Sequence, residues 1–374
     1  MHLTLHITNH CNLNCGYCYS PPSNSATMSY DIAMKSIDFF EKTTVNDLGI
    51  IFFGGEPLLN KDLISRVIEQ CTSKTKETGF NYHYKVTTNG LLLDESFLGW
   101  ASINKLEIAL SIDGIEKAHD RHRFKSNRSG SYGEVIRAAE KLLKTQPYAQ
   151  ALMVVTPETV KHYCDSVEFL LNFGFKYIVS SLNYAAEWTD RDLKVLEREY
   201  KKIAELYSNL TLREVKFYFS PFDSKISSFI KDSATCQRCI LGQYQLSVAQ
   251  DGDIYPCIQF VKDGQGNKAF SIGNVFNGFN YDKLNELQIE SKNGDSNCQK
   301  CDLLNRCNNN CSCLNWQSTG KISKITPFLC ESERILIETA DRLAEKLYKV
   351  RSNLFIQKHY NNAYPFLSLL DDIN

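Results

Sequence analysis

The sequence lacks any long apolar run and any excess of charge of one sign. No hydrophobic stretch among its 374 residues approaches the length that spans a bilayer. The first residues are strand-like and lack the basic and apolar regions of a secretory signal. Its 42 basic and 43 acidic residues leave a formal net charge of −1, without the basic surplus that favours nucleic acid or acidic membranes. We therefore expect a cytoplasmic protein with no nucleic-acid partner and no membrane partner.

Cysteine, in contrast, is abundant. Fourteen cysteines are many for a cytoplasmic chain, because disulfides are disfavoured there and close-set cysteines more often bind metal or take part in redox chemistry. All but two lie in two groups, at residues 11–18 and 236–330. The other two, Cys71 and Cys164, fall in helix-like segments, and we interpret them as small buried side chains.

Strand-like and helix-like segments alternate over the first ~220 residues, which is typical of βαβ units with a parallel sheet. The predicted strands are Leu3–Thr8, Ile50–Phe53, Tyr82–Thr87, Leu106–Ile112, Ala149–Val155 and Tyr177–Asn183. The predicted helices are Ser29–Lys42, Lys61–Glu77, Tyr132–Lys144, Val160–Asn172 and Asp190–Ser208. About six β/α repeats are fewer than the eight of a closed barrel. The predicted fold class is therefore α/β, a partial (β/α)6 TIM-like barrel that is open.

The pattern changes after the repeats. Residues 236–330 are rich in Cys, Asn, Gly and Lys with little periodicity, and we expect a small domain organised by bound metal rather than by an apolar core. The pattern of Ser332–Val350 predicts an amphipathic helix, and Asn353–Asn374 is predicted to be an aromatic but irregular tail. The predicted domains are residues 1–225, 226–331 and 332–374.

The first cysteine group, Cys11, Cys15 and Cys18, lies in the segment CNLNCGYC. Three thiolates this close can hold three irons of a [4Fe–4S] cluster and leave the fourth iron open. Spacings of four and three also fall on one face of an α-helix. The asparagines and the glycine between the cysteines are poor helix formers and favour a loop, so we interpret the segment as a metal-cluster loop.

Polar or glycine-rich motifs follow the next three predicted strands. They are GGEP (Gly54–Pro57), TTNG (Thr87–Gly90) and SIDG (Ser111–Gly114). The carboxyl ends of parallel strands meet at one edge of a sheet, and active sites lie at that edge in such folds. The three motifs and the cysteine loop are therefore predicted to converge on one site.

The CxxxCxxC spacing, with GGEP behind the next strand, resembles the radical S-adenosylmethionine (SAM) family over about the first 220 residues. The resemblance implies that Cys11, Cys15 and Cys18 hold a [4Fe–4S] cluster whose open iron chelates the amino and carboxylate groups of SAM. An electron from the cluster would break the sulfonium bond and give a 5′-deoxyadenosyl radical, which abstracts hydrogen from a substrate. The cofactor would carry out the radical chemistry, and the protein would orient the reactants and exclude water from the site.

The same resemblance implies SAM-contacting residues beyond the cysteines. The candidates are Gly54 and Gly55 for close approach to the methionine amine, Glu56 to orient that amine, Ser111 for the ribose or carboxylate, Arg123 for the carboxylate, Tyr17 for the adenine, and Asn89. His119 and His122, in the same segment as Arg123, are interpreted as solvated rather than catalytic.

The spacings of the later cysteines resemble the SPASM domain at the C-terminus of many radical SAM enzymes, which implies two auxiliary [4Fe–4S] clusters. Carried over by position, the first is held by Cys236, Cys239, Cys257 and Cys311, and the second by Cys298, Cys301, Cys307 and Cys330. Cys313 is an extra thiol, either a substitute ligand or an unligated core side chain. Zinc is the open alternative for residues 236–330 taken alone, because CxxC pairs also bind zinc. The implied cofactors are three [4Fe–4S] clusters and SAM.

SPASM-type enzymes typically modify peptides or proteins. One reading is a maturase that forms a thioether or carbon–carbon crosslink in a ribosomally made precursor peptide. The other is an anaerobic sulfatase maturase that oxidises Cys or Ser to formylglycine. Those maturases place an Asp directly after the cysteine equivalent to Cys257, where this chain has Ile258, and a CHGGC-type segment where it has CNNNC at 307–311. We therefore favour the peptide maturase.

Two further expectations accompany that choice. The cluster loop begins at residue 11, which leaves no room before it for a leader-binding domain, so a precursor would be held by other surfaces or by a separate protein. An external electron donor of flavodoxin or ferredoxin type is also expected. Asp251, Asp253 and Tyr255 flank the auxiliary site as candidate bases, although acidic loop residues are usually just solvated.

Overall fold

One large sheet organises the chain. The computed structural model describes residues 1–20, 27–44, 46–231, 239–261 and 268–364. The strands are β1 (His2–Thr8), β2 (Asp47–Gly54), β3 (Asn81–Thr88), β4 (Leu106–Ser111), β5 (Gln150–Val155), β6 (Tyr177–Leu182), β7 (Tyr218–Phe219), β8 (Gln245–Val248), β9 (Ile254–Tyr255), β10 (Gly273–Asn274) and β11 (Gly278–Phe279). The first nine form a sheet in the order β7-β6-β5-β4-β3-β2-β1-β8-β9, and β10 pairs with β11.

The helices of the described chain are α1 (Tyr30–Glu41), α2 (Lys61–Thr78), α3 (Glu95–Ile103), α4 (Glu116–His122), α5 (Tyr132–Thr145), α6 (Tyr163–Phe173), α7 (Asp190–Leu212), α8 (Ser220–Ile230), α9 (Tyr281–Asn293), α10 (Ser312–Thr319), α11 (Pro327–Lys349) and α12 (Asn353–Tyr360). Eight of them, α1 to α8, lie between strands of this sheet, and α9 to α12 follow β11. Strands β1 to β7 pair in parallel and in chain order. The predicted α/β class with a parallel sheet is confirmed, and β7 adds a seventh parallel strand to the six predicted for the partial (β/α)6 barrel.

Local sequence explains these elements. All residues of β1 after His2 are buried, from Leu3 through Thr8, as expected of a parallel strand covered on both faces. Side chains cap the helix starts: Ser29 accepts from the Ile32 N–H at α1, and Thr189 opens α7 with a capping box. The prediction that Cys71 and Cys164 are buried helical side chains is confirmed.

The cysteine-rich region is more regular than predicted. β8 pairs in parallel with β1, so residues 245–248 extend the main sheet. Phe260 and Phe270 stack with ring centroids 4.2 Å apart, and Trp316 packs edge-on against Phe270 at 4.7 Å. The expectation that this region has no apolar core was wrong, because aromatic residues far apart in sequence meet only after folding. The domain boundaries remain a prediction.

The C-terminal part also differs from its prediction. α11 begins at Pro327, five residues before the predicted start, because the Thr326 hydroxyl caps it by accepting from the Leu329 N–H. The tail, predicted to be irregular, forms α12 over Asn353–Tyr360, capped by Ser352 and anchored by a fully buried Phe355. Residues 365–374 lie outside the described chain.

Among the described residues, no helix combines the length and the apolar character needed to cross a bilayer.

Candidate functional site

The first cysteine group lies in an irregular loop between β1 and α1, at the carboxyl end of β1. Backbone hydrogen bonds tie this loop to the segment after β4: the Asn14 N–H donates to the Phe124 carbonyl at 2.8 Å, and the Gly16 N–H donates to the His122 carbonyl at 2.9 Å. The loop interpretation is confirmed over residues 11–20, which the structure describes, and the helical-face alternative was wrong.

The three thiols of this loop differ in exposure: Cys11 and Cys15 are half-buried, and Cys18 is exposed. Burial raises the pKa of Cys11 to about 12, and the neighbouring Glu56, Cys15 and Cys18 raise it further. Burial likewise raises the pKa of Cys15, although Arg123 lowers it. Neutral thiols are therefore the stable form without a cation, and metal binding would release their protons. Among the described residues, no three Cys, His, Asp or Glu side chains are arranged to hold a metal ion. Soft thiolates suit iron–sulfur clusters, and the ligand role of these three cysteines remains a prediction.

The GGEP segment packs directly onto the cysteine loop. The Gly55 N–H donates to the Thr8 carbonyl at 2.7 Å, and the Glu56 N–H donates to the His10 carbonyl at 2.8 Å. A Cβ on Gly54, whose φ is +146°, would lie 2.1 Å from the Thr8 oxygen, and one on Gly55 would lie 2.3 Å from the His10 oxygen. These glycines are required for backbone contact with the cysteine loop. Their predicted approach to the SAM amine stays a prediction.

Glu56 connects the GGEP segment to the TTNG segment through hydrogen bonds. Its side chain is fully buried; Oε1 accepts from the Leu58 N–H at 3.0 Å and from the Thr88 hydroxyl at 2.8 Å, and Oε2 accepts from the Asn89 N–H at 2.7 Å. Asn89 in turn donates from Nδ2 to Asn12 Oδ1 at 2.7 Å, and this nitrogen lies 3.8 Å from Cys11 Sγ. The structure thus brings GGEP, TTNG and the cysteine loop together.

This arrangement predicts a pH dependence of stability. Burial raises the pKa of Glu56 from 4.5 to about 7, so between these pH values the folded protein binds more protons than the unfolded chain. Stability therefore falls as pH rises through this window, by about 3 kcal/mol in all. Glu56→Gln, which stays neutral, should lack this component. Urea unfolding of both proteins at several pH values between 4.5 and 7.5 measures it, and identical pH profiles would contradict the assignment.

Asp113 is a site residue that the sequence analysis missed. It is 1% exposed and accepts from Arg123 Nε at 2.9 Å, from the Tyr17 hydroxyl at 2.5 Å and from the Val154 N–H at 2.9 Å. The Arg123 guanidinium also lies over the Tyr17 ring, 5.3 Å from its centroid. The signal was an acidic residue in SIDG between a buried strand and Gly114, whose φ is +95°.

Arg123 and Tyr17 are therefore held at the site by Asp113, and their predicted contacts with SAM stay predictions. Ser111 is half-buried at the carboxyl end of β4, where its predicted role likewise stays open. The interpretation of His119 as solvated was wrong. It is fully buried in α4, where Nδ1 accepts from the Asp113 N–H at 3.3 Å. His122 is partly buried, with Nε2 2.8 Å from the Thr156 hydroxyl.

The later cysteines form two groups in space. In one, burial raises the pKa of Cys298, and Asp295, Cys330 and Cys301 raise it further. Burial also raises the pKa of Cys307 to about 11, and Cys298 is again among its neighbours. These are the four residues predicted to hold the second auxiliary cluster.

The other group contains Cys239, Cys257, Cys311 and Cys313. Burial raises the pKa of Cys239 to about 11, and Cys311 and Cys257 add to the increase. Cys313 Sγ lies 3.3 Å from Cys257 Sγ and 3.5 Å from Cys311 Sγ. Cys236, which was predicted to join this group, lies outside the described residues. A cavity of about 810 Å3 borders both groups, at Cys239 and at Cys298.

The three candidate bases differ in their exposure and in their partners. Asp253 accepts from Asn274 Nδ2 at 2.8 Å and lies 3.5 Å from Lys268 Nζ. Asp251 is exposed, as expected, and burial raises the pKa of Tyr255.

Comparisons with known proteins agree with this geometry. Residues 5–170 match the sequence family described as the Radical SAM superfamily. An uncharacterized protein of Methanocaldococcus jannaschii is 32% identical over 177 residues, which cover 47% of this chain and 60% of that protein. A cysteine-type anaerobic sulfatase-maturating enzyme of Clostridium perfringens is 26% identical over 322 residues, which cover 80% of this chain and 85% of that enzyme.

Two solved structures share the fold. Native anSMEcpe with bound AdoMet and Cp18Cys peptide has a TM-score of 0.80 at 21% identity, and the match covers 94% of this chain and 100% of that one. Streptococcus suis SuiB bound to the precursor peptide SuiA has a TM-score of 0.61 at 17% identity, with 88% and 75% covered. The likeness extends beyond the sheet into the cysteine-rich region.

Proposed function

We propose that the chain is a radical SAM enzyme that modifies a peptide substrate, because residues 5–170 match the Radical SAM superfamily. The observation that carries the proposal is the meeting of the cysteine loop, GGEP, TTNG and SIDG at one edge of the sheet. Tyr19, in the cysteine loop, has Cys257 and Cys313 of the second region (residues 236–330) among its electrostatic neighbours.

Some residues of the site would bind the cluster, and others position the groups around it. Cys11, Cys15 and Cys18 would hold a [4Fe–4S] cluster, which together with SAM supplies one-electron cleavage of the sulfonium bond. Asp113 keeps the buried Arg123 guanidinium beside Cys15, where its positive charge favours anionic thiolate and carboxylate groups. Glu56 fixes the backbone that follows β3 against this loop.

The substrate is proposed to be a peptide because the relatives of similar fold include proteins with peptides bound. We propose that the second region holds two auxiliary [4Fe–4S] clusters and that an external flavodoxin- or ferredoxin-type protein supplies electrons. A cytoplasmic location is part of the same proposal.

The proposed product is a thioether or carbon–carbon crosslink. The residue after Cys257 is Ile258, which begins the short 3₁₀ helix Ile258–Phe260, so no carboxylate follows that cysteine directly. Formylglycine formation is the second candidate. It is favoured by the high coverage of the match to the sulfatase-maturating enzyme.

Mass spectrometry separates the two products. The enzyme, dithionite and SAM are incubated anaerobically with a set of cysteine-containing peptides, one of which is a sulfatase-type peptide. A crosslink removes two hydrogen atoms and retains the cysteine sulfur, whereas formylglycine formation replaces that sulfur by oxygen. Sulfur loss from the sulfatase-type peptide alone would overturn the crosslink proposal in favour of the second candidate. SAM consumption with no peptide changed in any reaction would contradict the peptide substrate.

A further inference from the structure

One face of the main sheet is open at β6. Exposed and buried residues alternate along this strand, and Tyr177 and Val179 on the exposed face are 38% and 37% accessible. On β5, Leu152 is the register partner of Val179 and is half-buried. A parallel sheet is usually covered on both faces. This open side, which we call the inner face, therefore offers apolar surface and room for an extended peptide.

A lysine side chain extends across the inner face. Tyr84 and Val86 of β3 belong to the apolar core, so Lys85 between them points to the opposite side of the sheet. Its ammonium group donates a hydrogen bond to Oε1 of Gln150 on β5. This hydrogen bond crosses β4, where Gln150 pairs with Ala109, because the alanine side chain is too small to block it.

The contact leaves hydrogen-bond donors available on both side chains. The oxygen of the Gln150 amide accepts from the ammonium group, so its nitrogen Nε2 remains as a donor. Among the described residues, that nitrogen has no partner, and the Lys85 ammonium has no carboxylate within ion-pair distance. An ammonium group beside an amide nitrogen matches the acceptor oxygens of a carboxylate.

The charges around this contact also favour an anion. A cavity of about 470 Å3 adjoins Lys85 and Gln150, and its other charged lining residues are Lys105 and Glu107. Two cations therefore face one anion. Glu107 is exposed and is the register partner of Lys85; it raises the pKa of Lys85, but burial lowers that pKa by more. An anion in the cavity would compensate the burial of the ammonium charge.

We propose that Lys85 and Gln150 bind a carboxylate group of the peptide substrate and so select acidic peptides. The inference rests on the proposed function, which makes a peptide the substrate. Lys85 lies four residues before Asn89, which contacts Asn12 of the cysteine loop. At about 3.3 Å per residue, the carboxylate would lie about 13 Å from that contact along the strand. An extended peptide spans this distance in about four residues.

Paired synthetic peptides test the proposal. Each contains one cysteine and one Asp, separated by two to eight positions, and both ends are capped so that Asp is the only carboxylate. A matched series contains Asn in place of Asp. Fluorescence anisotropy measures binding to the anaerobic, SAM-loaded protein, and mass spectrometry measures modification. With the acid about four positions from the cysteine, the Asp peptide should bind at least about 10-fold more tightly than the Asn peptide.

Charge variants connect that preference to one side chain. Lys85→Met should abolish it, Lys85→Arg should keep most of it, and Lys85→Glu should instead favour a peptide with Lys in the place of Asp. Glu107→Gln, which removes the nearby negative charge, should increase the preference for Asp. Lys76→Met removes an exposed cation of α2 and should leave it unchanged. Only variants with native circular dichroism are compared.

Each outcome separates the carboxylate site from the proposed function. Equal affinity for Asp and Asn peptides at every spacing, or a preference that persists in Lys85→Met, would overturn the site. Tight binding of an uncapped peptide that ends at the same distance, in place of the Asp peptide, would identify a C-terminal carboxylate as the group that is bound. Asp peptides that bind with the expected preference but are never modified would count against the proposed function alone.

Discussion

Cys15→Ala should lose reductive SAM cleavage almost completely. Cys15 is the middle thiol of the loop and lies beside Arg123, so its removal takes away a predicted iron ligand and leaves a two-thiol site. Loss of a residue that only supports a metal ligand already costs about 10–100-fold, and we expect a loss of more than about 100-fold here. Formation of 5′-deoxyadenosine after dithionite reduction, measured by liquid chromatography, gives the result.

Two further alanine variants show whether the loss of SAM cleavage is specific to Cys15. Cys71→Ala removes a buried thiol of α2 and should leave SAM cleavage unchanged at a temperature where the protein is folded. Cys301→Ala belongs to the second region and should lose peptide turnover before SAM cleavage. If Cys15→Ala still released 5′-deoxyadenosine at the wild-type rate, the assignment of the first site would be wrong.

Glu333→Ala should destabilise the protein by about 3–5 kcal/mol, as expected when one partner of a buried ion pair is removed. Glu333 in α11 and Lys225 in α8 have side chains only 2% and 6% exposed, and Lys225 Nζ lies 2.7 Å from Glu333 Oε2. Lys225 also donates to the Arg306 carbonyl at 2.8 Å, and Glu333 accepts from the Asn308 N–H at 2.9 Å. Without Glu333 the lysine is left charged and buried.

The same contacts link this ion pair to the predicted second auxiliary cluster. Arg306 and Asn308 flank Cys307, and α11 also carries Cys330, so Glu333→Ala should lower iron content as well as stability. Urea unfolding and iron analysis measure both effects. The double variant Lys225→Met/Glu333→Leu should recover part of the lost stability.

A surface pair provides the matched control for this prediction. Glu338, also in α11, pairs with Arg342 at 3.5 Å, and their side chains are 54% and 75% exposed. Glu338→Ala should cost less than about 1 kcal/mol. An equal, small loss of stability in Glu333→Ala and Glu338→Ala would contradict the account of the buried pair.

The main features of the fold were predictable because each depends on local sequence. Segments such as Leu3–Thr8 and Lys61–Glu77 have their own hydrophobic period and their own capping residues. The observed bounds of these two elements differ from the predicted bounds by only a few residues. The convergence of polar motifs was predictable for a related reason, since parallel strands in chain order necessarily place their carboxyl ends together.

The contacts that complete the site depend on residues far apart in sequence, and these were not predictable. Asp113 contacts Tyr17 across 96 positions and Lys225 contacts Glu333 across 108, and neither pairing leaves a periodic signal. The interpretation of His119 was wrong for the same reason. Its polar helix carries four charged residues, which favours a solvated side chain, whereas the ring is buried and bonds to Asp113 and Ser131.

The most direct measurement is SAM cleavage by the wild-type protein. The protein is purified without oxygen, its iron and sulfide are measured, and it is reduced with dithionite in the presence of SAM. The account predicts broad iron–sulfur absorbance and the appearance of 5′-deoxyadenosine and methionine in equal amounts. Iron-loaded, reduced protein that leaves SAM intact would contradict it.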